Sequence, residues 1–484
     1  MEIEVAIIGS GFSGINMAIN LMKKKIDSFV IFEKSGNIGG VWRDNIYPGC
    51  TCDIKSALYS LKSEPNPDWT ANFPKQQEIY AYLHSIVDKY NLHFNIRLNT
   101  QVTHLNFDET LGVWKITTNK DSFVARVVIL ATGPQRLAAY PKIEGIDQFG
   151  KSAFHSSQWD SNIDLKGKKV ALIGTGASAI QIIPKIQPIV SSLVIFQRTP
   201  AWILPRMQRN IYNLERKVYK NFPFILKLKR ELIFWHYELI GTSFLYNKVL
   251  HKILRTIFSI WLQFSIKDKL IRDKLKPRYN LGCKRILVSD NFYKSIENPK
   301  VNLVTEPIVR IKRQSIQTDK AEFEVDVLIY ATGFTVADIE KYIEIKGRNN
   351  ISLNDIWADN GAEAFLGMHI SGFPNLCYLL GPNSGLSHSS ALHAMESQVA
   401  YIIKYLEFLK NLPEKSFLDV KPEIQTRYNK KLQQKLNGTV WDSGCNSWFL
   451  NKQNKNTVIF PGTLSSFRKA TKYFNIRNYD LIKC

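Results

Sequence analysis

The sequence has few cysteines, no long apolar run and no pattern typical of a secretory leader. Six cysteines are scattered over 484 residues, and none forms a Cys-x-x-Cys pair. A disulfide framework is therefore not expected in so long a chain, and we expect reduced cysteines in the cytoplasm, with no metal site. No stretch of about 18 uninterrupted apolar residues occurs, so a membrane-spanning helix is not expected. An apolar strand pattern opens the sequence without a basic region before it, so no signal peptide is expected.

Acidic residues are also in short supply. Asp and Glu number 42 against 64 Lys and Arg, which gives a formal net charge of +22. Such a balance permits an anionic partner, for example nucleic acid or a membrane surface. The charges are dispersed and no recognised nucleic-acid-binding motif is present, so we expect no nucleic-acid partner. A cofactor rich in phosphate would also be attracted by a positive field.

One pattern occurs twice along the chain. Strand, glycine-rich turn, helix and strand follow one another over residues 1–40 and again over 168–200. Between them, short alternating runs over 100–133 predict an antiparallel meander. The length suggests two or three domains. We therefore predict an α/β fold with two Rossmann-like dinucleotide-binding domains.

The near copies Ala131-Thr132-Gly133 and Ala331-Thr332-Gly333 are interpreted as the points where the chain crosses between domains. The predicted segments are 1–145 for the first part of the first domain, 146–325 for the second domain, and 326–484 for the rest of the first domain with a C-terminal cap.

Residues 210–275 form an aromatic and basic stretch with a helical pattern, which we interpret as an insertion in the second domain. Aromatic residues at helical spacing usually belong to a core. Because basic residues flank them, peripheral contact with a membrane surface stays open as an alternative.

The first glycine-rich turn has the form Gly-x-Gly-x-x-Gly and lies between a strand and a helix. Its residues are Gly9, Ser10, Gly11, Phe12, Ser13 and Gly14. In this motif the first glycine makes the turn, the second lets the backbone approach a pyrophosphate and the third lets the helix pack on the strand. The pyrophosphate then faces a helix N-terminus. Glu33, followed by Lys34, ends the next strand, where a carboxylate accepts hydrogen bonds from a ribose diol.

The second turn has alanine in place of the third glycine, which the motif tolerates. Its residues are Gly174, Thr175, Gly176, Ala177, Ser178 and Ala179. Glu33 and Arg198 each lie 24 residues after the first glycine of their turn, so the two residues occupy equivalent positions. A guanidinium binds a 2′-phosphate that a carboxylate would repel. We therefore expect FAD in the first unit and NADPH rather than NADH in the second, where Arg198 is assisted by Thr199.

Two dinucleotide units on one chain are typical of disulfide reductases and of flavin monooxygenases. A reductase needs a redox pair of cysteines beside the flavin. The only close pair is Cys50-Thr51-Cys52, and one intervening residue strains a disulfide badly. The sequence therefore favours a monooxygenase.

At this point the sequence resembles a known family, the type I Baeyer–Villiger monooxygenases. Residues 40–53 read GVWRDNIYPGCTCD and match the family fingerprint Gly-x-Trp-x4-Tyr-Pro-Gly-x3-Asp. Residues 149–160 read FGKSAFHSSQWD and resemble Phe-x-Gly-x3-His-x3-Trp-Pro/Asp, with Lys151 in place of the glycine. Within this second fingerprint we interpret His155 and Trp159 as linker and packing residues. Order and content are similar to the 4-hydroxyacetophenone monooxygenase branch.

The resemblance implies roles for further residues. Lys284-Arg285 looks like the family's Lys-Arg pair, with Arg285 as the catalytic arginine, Asp53 as the carboxylate that holds it, and Lys284 helping to bind the 2′-phosphate. It also implies an FAD site that extends over Gly40, Val41, Trp42, Asp53, Tyr59 and Val102. The implied reaction uses NADPH and oxygen to form a C4a-peroxyflavin, which inserts an oxygen atom into a ketone or aldehyde. Arg285 would stabilise the anionic peroxide and adduct.

Two alternatives stay open. One is N- or S-oxygenation by a hydroperoxyflavin, as in the related flavin-containing monooxygenases, for which an arginine such as Arg285 is not needed. The other is a basic, surface-binding flavoprotein without turnover. The sequence leaves the oligomeric state open.

Overall fold

Two separate large sheets, one mixed and one parallel, organise this computed structural model, which describes residues 2–134, 137–245, 247–335, 342–413, 415–445 and 447–484. The strands are β1 (Glu2–Ile8), β2 (Phe29–Phe32), β3 (Ile96–Arg97), β4 (Val102–Asp108), β5 (Val113–Thr118), β6 (Ser122–Leu130), β7 (Leu137–Ala138), β8 (Ser152–His155), β9 (Lys169–Ile173), β10 (Ser192–Phe196), β11 (Ile203–Leu204), β12 (Leu287–Val288), β13 (Val301–Val304), β14 (Ile308–Ile311), β15 (Ser315–Thr318), β16 (Glu322–Glu324), β17 (Val327–Tyr330), β18 (Phe334–Thr335), β19 (Glu344–Lys346), β20 (Leu376–Tyr378), β21 (Ser416–Val420) and β22 (Tyr479–Lys483). The helices are α1 (Phe12–Lys23), α2 (Val41–Asp44), α3 (Gln76–Lys89), α4 (Ala179–Ile186), α5 (Asn213–Asn221), α6 (Pro223–Leu245), α7 (Lys248–Ser265), α8 (Lys269–Leu275), α9 (Phe292–Ile296), α10 (Leu353–Asn360), α11 (Ala391–Lys410), α12 (Pro422–Leu436) and α13 (Leu464–Ala470).

The first sheet has the order β19-β4-β5-β6-β1-β2-β3, with β20 also beside β6. Its centre is parallel, because β1 pairs in parallel with both β2 and β6. Strands β4, β5 and β6 form the antiparallel meander that the sequence predicts. Val5 and Ile7 face one apolar core while Ala6 and Ile8 face another, so β1 is buried on both faces. A continuous apolar run is what such a central strand requires.

The second sheet has the order β13-β10-β9-β17-β8 and is parallel throughout. Along β9, Val170 and Leu172 enter one core and Ala171 and Ile173 another. Strand β17 at 327–330 belongs to this sheet, although the expected boundary assigned everything after 325 to the last segment. The pairing of β17 with β9 and β8 therefore carries the second unit beyond residue 326.

The expected helical insertion over 210–275 consists of α5 to α8. It does not pack on the second unit alone. Ile233 and Phe234 of α6 belong to the core of the first unit, whereas Phe258 and Leu262 of α7 belong to that of the second. The insertion therefore spans both units.

The tail packs against the first unit. Strand β22 pairs in antiparallel fashion with β21, and Leu464 and Phe467 of α13 are buried in the first core. Across the described ranges, no helix is long and apolar enough to cross a membrane.

The expectation that all cysteines are reduced is wrong for one pair. The structure joins Cys283 and Cys445 in a disulfide across 162 residues of sequence. Spacing along the chain gave no sign of this pair, because the tail returns to the loop that precedes β12 only in the folded protein. Cys50, Cys52, Cys377 and Cys484 are free thiols.

Candidate active site

The first glycine-rich turn forms a bare backbone cradle between β1 and α1. Gly9 has a φ of 109°, and a Cβ on Gly14 would lie 1.9 Å from the carbonyl oxygen of Gly9. A side chain is therefore excluded where the helix crosses the strand. A Cβ on Gly40 would lie 3.3 Å from the Cα of Gly11, so a second glycine loop closes on the first. Phe12 and Ser13 begin α1 and are buried. Such a cradle fits a pyrophosphate at a helix N-terminus.

Glu33 is buried where β2 ends and faces this cradle. Its Oε2 accepts hydrogen bonds from the amide and hydroxyl of Ser10, at 3.1 and 2.7 Å. Its Oε1 accepts from the amide of Ser35 at 3.0 Å and from Arg43 at 3.1 Å. The carboxylate is thus fixed beside the glycine turn, where a ribose diol is expected. The role of Arg43 in holding it was not predicted, since an arginine in a helical turn carries no signal of its partner.

Aromatic side chains line the next part of the site. The indole of Trp42 donates to the hydroxyl of Tyr59 at 3.0 Å, and the ring of Tyr59 meets Phe12 edge-on at 5.5 Å. The side-chain amide of Gln76 donates from Nε2 to the backbone carbonyl of Trp42 and ties α2 to α3. These contacts give the fingerprint segment a fixed apolar wall.

Three further residues were expected in the first site, and the structure places each of them in a different part of the first unit. Val41 begins α2 and is partly buried, Val102 begins β4 with its side chain in the core, and the Lys34 ammonium lies 5.7 Å from the centre of the Tyr342 ring.

The second glycine-rich turn repeats the arrangement with more open space. Gly174 has a φ of 111°, and a Cβ there would lie 2.4 Å from the carbonyl oxygen of Ala331. A Cβ on Gly176 would meet nothing within 4 Å, and Ala177 beside it is exposed. Ser178 precedes α4, and Ala179, in the place of the third glycine, is fully buried. This turn therefore leaves room for a ligand at the start of α4.

Positive charge collects at the end of β10. Arg198 is exposed, and the hydroxyl of Thr175 donates to the carbonyl of Thr199 at 3.4 Å. Burial lowers the pKa of Lys284, and the charge of Arg198 lowers it further. The two residues are therefore close enough to interact, although 86 positions separate them in the sequence. Lys284 also lies over the ring of Tyr279, at 5.0 Å from its centre. Two cations in one place suit a phosphate.

Arg285, the next residue, points to the first unit. Its Nε and Nη2 donate to the two carboxylate oxygens of Asp53, at 2.7 and 2.9 Å. Both side chains keep about 30% of their surface exposed, at 30% and 28%. Burial opposes the charge on Asp53, but attraction to Arg285 and its hydrogen bonds outweigh this effect and lower the pKa of the carboxyl. Burial likewise opposes the charge on Arg285, and Asp53 raises the pKa of the guanidinium above its usual value. The pair is therefore ionised and bidentate, which is the strong form of such a contact.

A second arginine, which the sequence did not single out, stands behind Asp53. Arg206 donates from Nη2 to the carbonyl of Cys52 at 2.7 Å and lies 4.8 Å from the centre of the Phe73 ring. Its positive charge helps to lower the pKa of Asp53. Asp290 holds this loop by accepting from the amides of Arg206, Met207 and Gln208 at 2.8 to 2.9 Å.

The fingerprint loop that carries Asp53 is fastened to the second unit. Gln181 of α4 accepts from the hydroxyl of Tyr47 at 3.1 Å and donates to the carbonyl of Thr51 at 3.0 Å. A Cβ on Gly49 would lie 2.5 Å from the carbonyl oxygen of Gln181, which explains glycine at that position. Asp53 is thus placed by α4 as well as by Arg285.

The second fingerprint is structural in its contacts. His155 is buried and its Nδ1 lies 2.8 Å from the hydroxyl of Ser157, while Trp159 packs edge-on against Phe154 at 5.1 Å. Lys151, in place of the fingerprint glycine, forms an ion pair with Asp326 at 3.0 Å. The side chain of Lys151 therefore reaches the residue that precedes β17 of the second sheet.

Burial also makes the cysteine pair unsuited to redox chemistry. It raises the pKa of Cys50 to about 11, and that of Cys52 rises well above the ordinary value. Neither thiol readily becomes the thiolate that exchange requires.

Comparison with known proteins agrees with this site. Residues 2–356 match the flavin-binding monooxygenase-like family. The chain is 41% identical to a Baeyer-Villiger monooxygenase of Pseudomonas aeruginosa, over 99% of this chain and 91% of that protein. It is 38% identical to one of Streptomyces coelicolor, over 100% and 93%.

Solved structures are similar over the whole length. A crystal structure of OTEMO in complex with FAD and NADP superposes with a TM-score of 0.89 at 26% identity, covering 99% of both chains. Cyclohexanone monooxygenase from Rhodococcus sp. Phi1, bound to NADP+, gives 0.89 at 25% identity and covers 100% of both. With the two glycine cradles and the motifs that surround them, these likenesses lead to one conclusion: the chain belongs to the flavin-binding monooxygenase-like family, and within it to the Baeyer–Villiger monooxygenases.

Proposed function

We propose that this enzyme uses NADPH and molecular oxygen to insert an oxygen atom into a ketone or aldehyde, giving an ester or an acid. The observation that carries the proposal is the pair of interactions made by two consecutive residues. Lys284 experiences the charge of Arg198 in the second unit, and Arg285 forms its bidentate pair with Asp53 in the first. The arginine thus lies where the two dinucleotide units meet.

Bound FAD would be held by the cradle of Gly9, Gly11 and Gly14, with Glu33 accepting from the ribose hydroxyls. Gly40, Trp42 and Tyr59 would form the wall beside it. NADPH would lie on the second turn, with Arg198 and Lys284 on its 2′-phosphate. When both are bound, NADPH supplies the electrons and reduced FAD supplies the activation of oxygen.

The work of this chain's own residues is electrostatic. Insertion into a carbonyl requires negative charge to develop on the carbonyl oxygen of the substrate and on the attacking oxygen. Arg285 presents a guanidinium whose charge is fixed and whose direction is set by Asp53. A preorganised cation stabilises such charge better than solvent, because it need not reorient during the reaction. Asp53 acts as the positioning residue, and the charge of Arg206 favours its ionised form.

Oxygenation of nitrogen or sulfur is the second candidate, since the relatives belong to the wider flavin monooxygenase family. That reaction uses an electrophilic oxygen donor and develops no anion on a carbonyl. The ion pair of Arg285 with Asp53 favours carbonyl oxidation, because a fixed guanidinium stabilises a reaction that develops negative charge beside it. We further propose a cytoplasmic location for the protein.

Arg285→Ala tests the proposal. We expect the variant to keep its flavin absorbance while the rate of ester formation with an accepted ketone falls about a hundred- to a thousand-fold. NADPH consumption is expected to continue with release of hydrogen peroxide. Arg285→Lys should restore little activity, because an ammonium lacks the planar fork that pairs with Asp53.

The measurement is ester formed per NADPH consumed, with a panel of ketones, amines and sulfides. Arg427→Ala, which removes an exposed arginine of α12, is the matched control and should behave as the unaltered enzyme. If Arg285→Ala retains the ester yield, the carbonyl role is wrong. Turnover of amines or sulfides alone would support the second candidate.

A further inference from the structure

Exposed apolar side chains are concentrated in the helical insertion. Fourteen of the 25 large apolar residues exposed in the described part of the chain lie between residues 212 and 270, about an eighth of its length. On most of the surface such residues occur singly and need no explanation. Their clustering here indicates a surface that meets something other than water.

On α6 these residues form one continuous row, which we call the α6 stripe. It comprises Phe224, Leu228, Leu232, Trp235 and Leu239, whose side chains are 58 to 66% exposed. Their spacing of four, four, three and four residues confines them to an arc of about 80° on a helix of 3.6 residues per turn. These residues therefore form one continuous apolar face of the helix.

The same spacing recurs on α7. The α7 stripe comprises Val249, Ile253, Ile257, Ile260 and Phe264, which are 47 to 82% exposed. It also falls within about 80° of arc. Helices α6 and α7 follow one another in the chain and contact each other.

Each stripe lies opposite the face by which its helix is anchored. On α6, Arg230 is buried and donates to the carbonyl of Ser60 at 2.8 Å, and Ile233 enters the first core. On α7, Phe258 and Leu262 enter the second core. Each helix thus packs one face against a core and exposes a second, apolar face to solvent.

The charge around the stripes is positive. Residues 213–275 hold thirteen basic and five acidic side chains, and α7 has no acidic residue at all. Lys252 of α7 and Lys227 of α6 are exposed about 60° around the helix from the stripes, and Arg255 of α7 is exposed further round. Amphipathic helices with exposed Trp, Phe and Leu on one face and basic residues at its edge bind anionic lipid surfaces.

We propose that α6 and α7 dock the protein onto a membrane surface that contains anionic phospholipid. The stripes enter the boundary between headgroups and acyl chains, while the lysines and arginines around them contact the phosphates. A second copy of the chain would bring the same positive charge to the contact and is disfavoured for that reason. Tyr237 lies on the side of α6 away from the stripe, within electrostatic reach of Asp53 and Arg285.

Flotation of the full-length protein with lipid vesicles tests the proposal without any assay of activity. We expect binding to vesicles of phosphatidylcholine mixed with phosphatidylglycerol, weaker binding to phosphatidylcholine alone, and loss of binding at high salt. The double variant Leu232→Ser with Trp235→Ser should lower the vesicle affinity at least about tenfold, as should Ile253→Ser with Ile257→Ser. Lys252→Glu with Arg255→Glu should weaken binding to the anionic vesicles only.

Phe94→Ser with Tyr473→Ser is the matched control, because both residues are highly exposed outside the insertion, at 93% and 69%. That variant should bind vesicles as the unaltered protein does. Absence of binding to anionic vesicles, or equal binding by the stripe variants, would overturn the proposal. A second contradicting result would be a protein that does not bind vesicles, elutes as a dimer on gel filtration and becomes a monomer in the stripe variants. Because all variants lie outside the candidate site, the result is independent of the proposed oxygenation.

Discussion

Single charges distinguish the two glycine cradles. Both units present a Gly-x-Gly turn, a helix and a strand, but the residue at the end of the second strand is acidic in one and basic in the other. Glu33 is held by Ser10, Ser35 and Arg43, whereas Arg198 stands exposed near Lys284. A buried carboxylate accepts hydrogen bonds from hydroxyls, and a pair of cations binds a phosphate. We propose that one residue in each unit decides which nucleotide is bound.

The preference for NADPH should depend on Arg198. A hydrogen bond to a charged group contributes about 1.5–3 kcal/mol, so Arg198→Ala should lower the NADPH to NADH ratio of kcat/KM about ten- to a hundred-fold. The check is steady-state kinetics with both nucleotides, and FAD content should remain that of the unaltered enzyme. An unchanged ratio would place the 2′-phosphate elsewhere.

Helix α6 shows how one element can serve several parts of the molecule. Arg230 ties it to the loop after Tyr59, Tyr237 lies within electrostatic reach of the Arg285–Asp53 pair, and Glu238 binds the tail. Both oxygens of Glu238 accept from the first amides of α13, Leu464 at 2.9 Å and Ser465 at 2.8 Å. A carboxylate at a helix N-terminus satisfies amides that have no partner within the helix and interacts favourably with the helix dipole.

Glu238→Gln should therefore destabilise the protein, and most strongly at neutral pH. Burial opposes ionisation of Glu238, but the contact with His388, at 3.5 Å, and hydrogen bonds from Ser465 and Leu464 outweigh it and lower its pKa from 4.5 to about 2. A depressed pKa means that the stability is present above pH 4.5 and is lost as the pH falls through 2. The expected loss is on the order of 3 kcal/mol at pH 7 and about half of that at pH 3.

Urea unfolding at the two pH values measures this difference. Glu231→Gln, on the same helix and less buried, is the matched control and should cost little. A deficit of Glu238→Gln that is equal at pH 7 and pH 3 would contradict the ionised cap.

At the scale of the whole molecule, distant segments meet around the candidate site. Arg285 and Asp53 are 232 residues apart, and Gln181 lies 130 residues from Thr51. The disulfide joins Cys283, two residues before Arg285, to Cys445 in the tail. The loop that carries the arginine is therefore tied both to the first unit and to the C-terminal region.

Reduction of this bond should lower stability without unfolding the protein. Closing a loop of this size restricts the unfolded chain, and loss of such a bond typically costs about 2–5 kcal/mol. Thiol titration in denaturant should find four free thiols before reduction and six after it. Tm should fall by several degrees in reductant, and Cys445→Ser should have the lower Tm with or without reductant. Six thiols in protein never exposed to reductant would contradict the disulfide.

The sequence by itself determined what depends on local pattern. The two glycine turns, the meander over 100–133, the helical insertion and the sign of the charge at Glu33 and Arg198 follow from periodicity, turn chemistry and short spacings, which act between neighbours in the chain. The motifs around Tyr47 and Lys284 were sufficient to predict the family.

Only the tertiary structure decided which distant groups face each other. The bidentate geometry of Arg285 with Asp53, the fastening of Thr51 by Gln181, the disulfide of Cys283 and the placing of β17 in the second sheet all arise when packed surfaces bring together residues far apart in sequence. The outward stripes of α6 and α7 belong here as well. A helical pattern shows that a face is apolar, but burial of the opposite face is what leaves that one exposed to solvent.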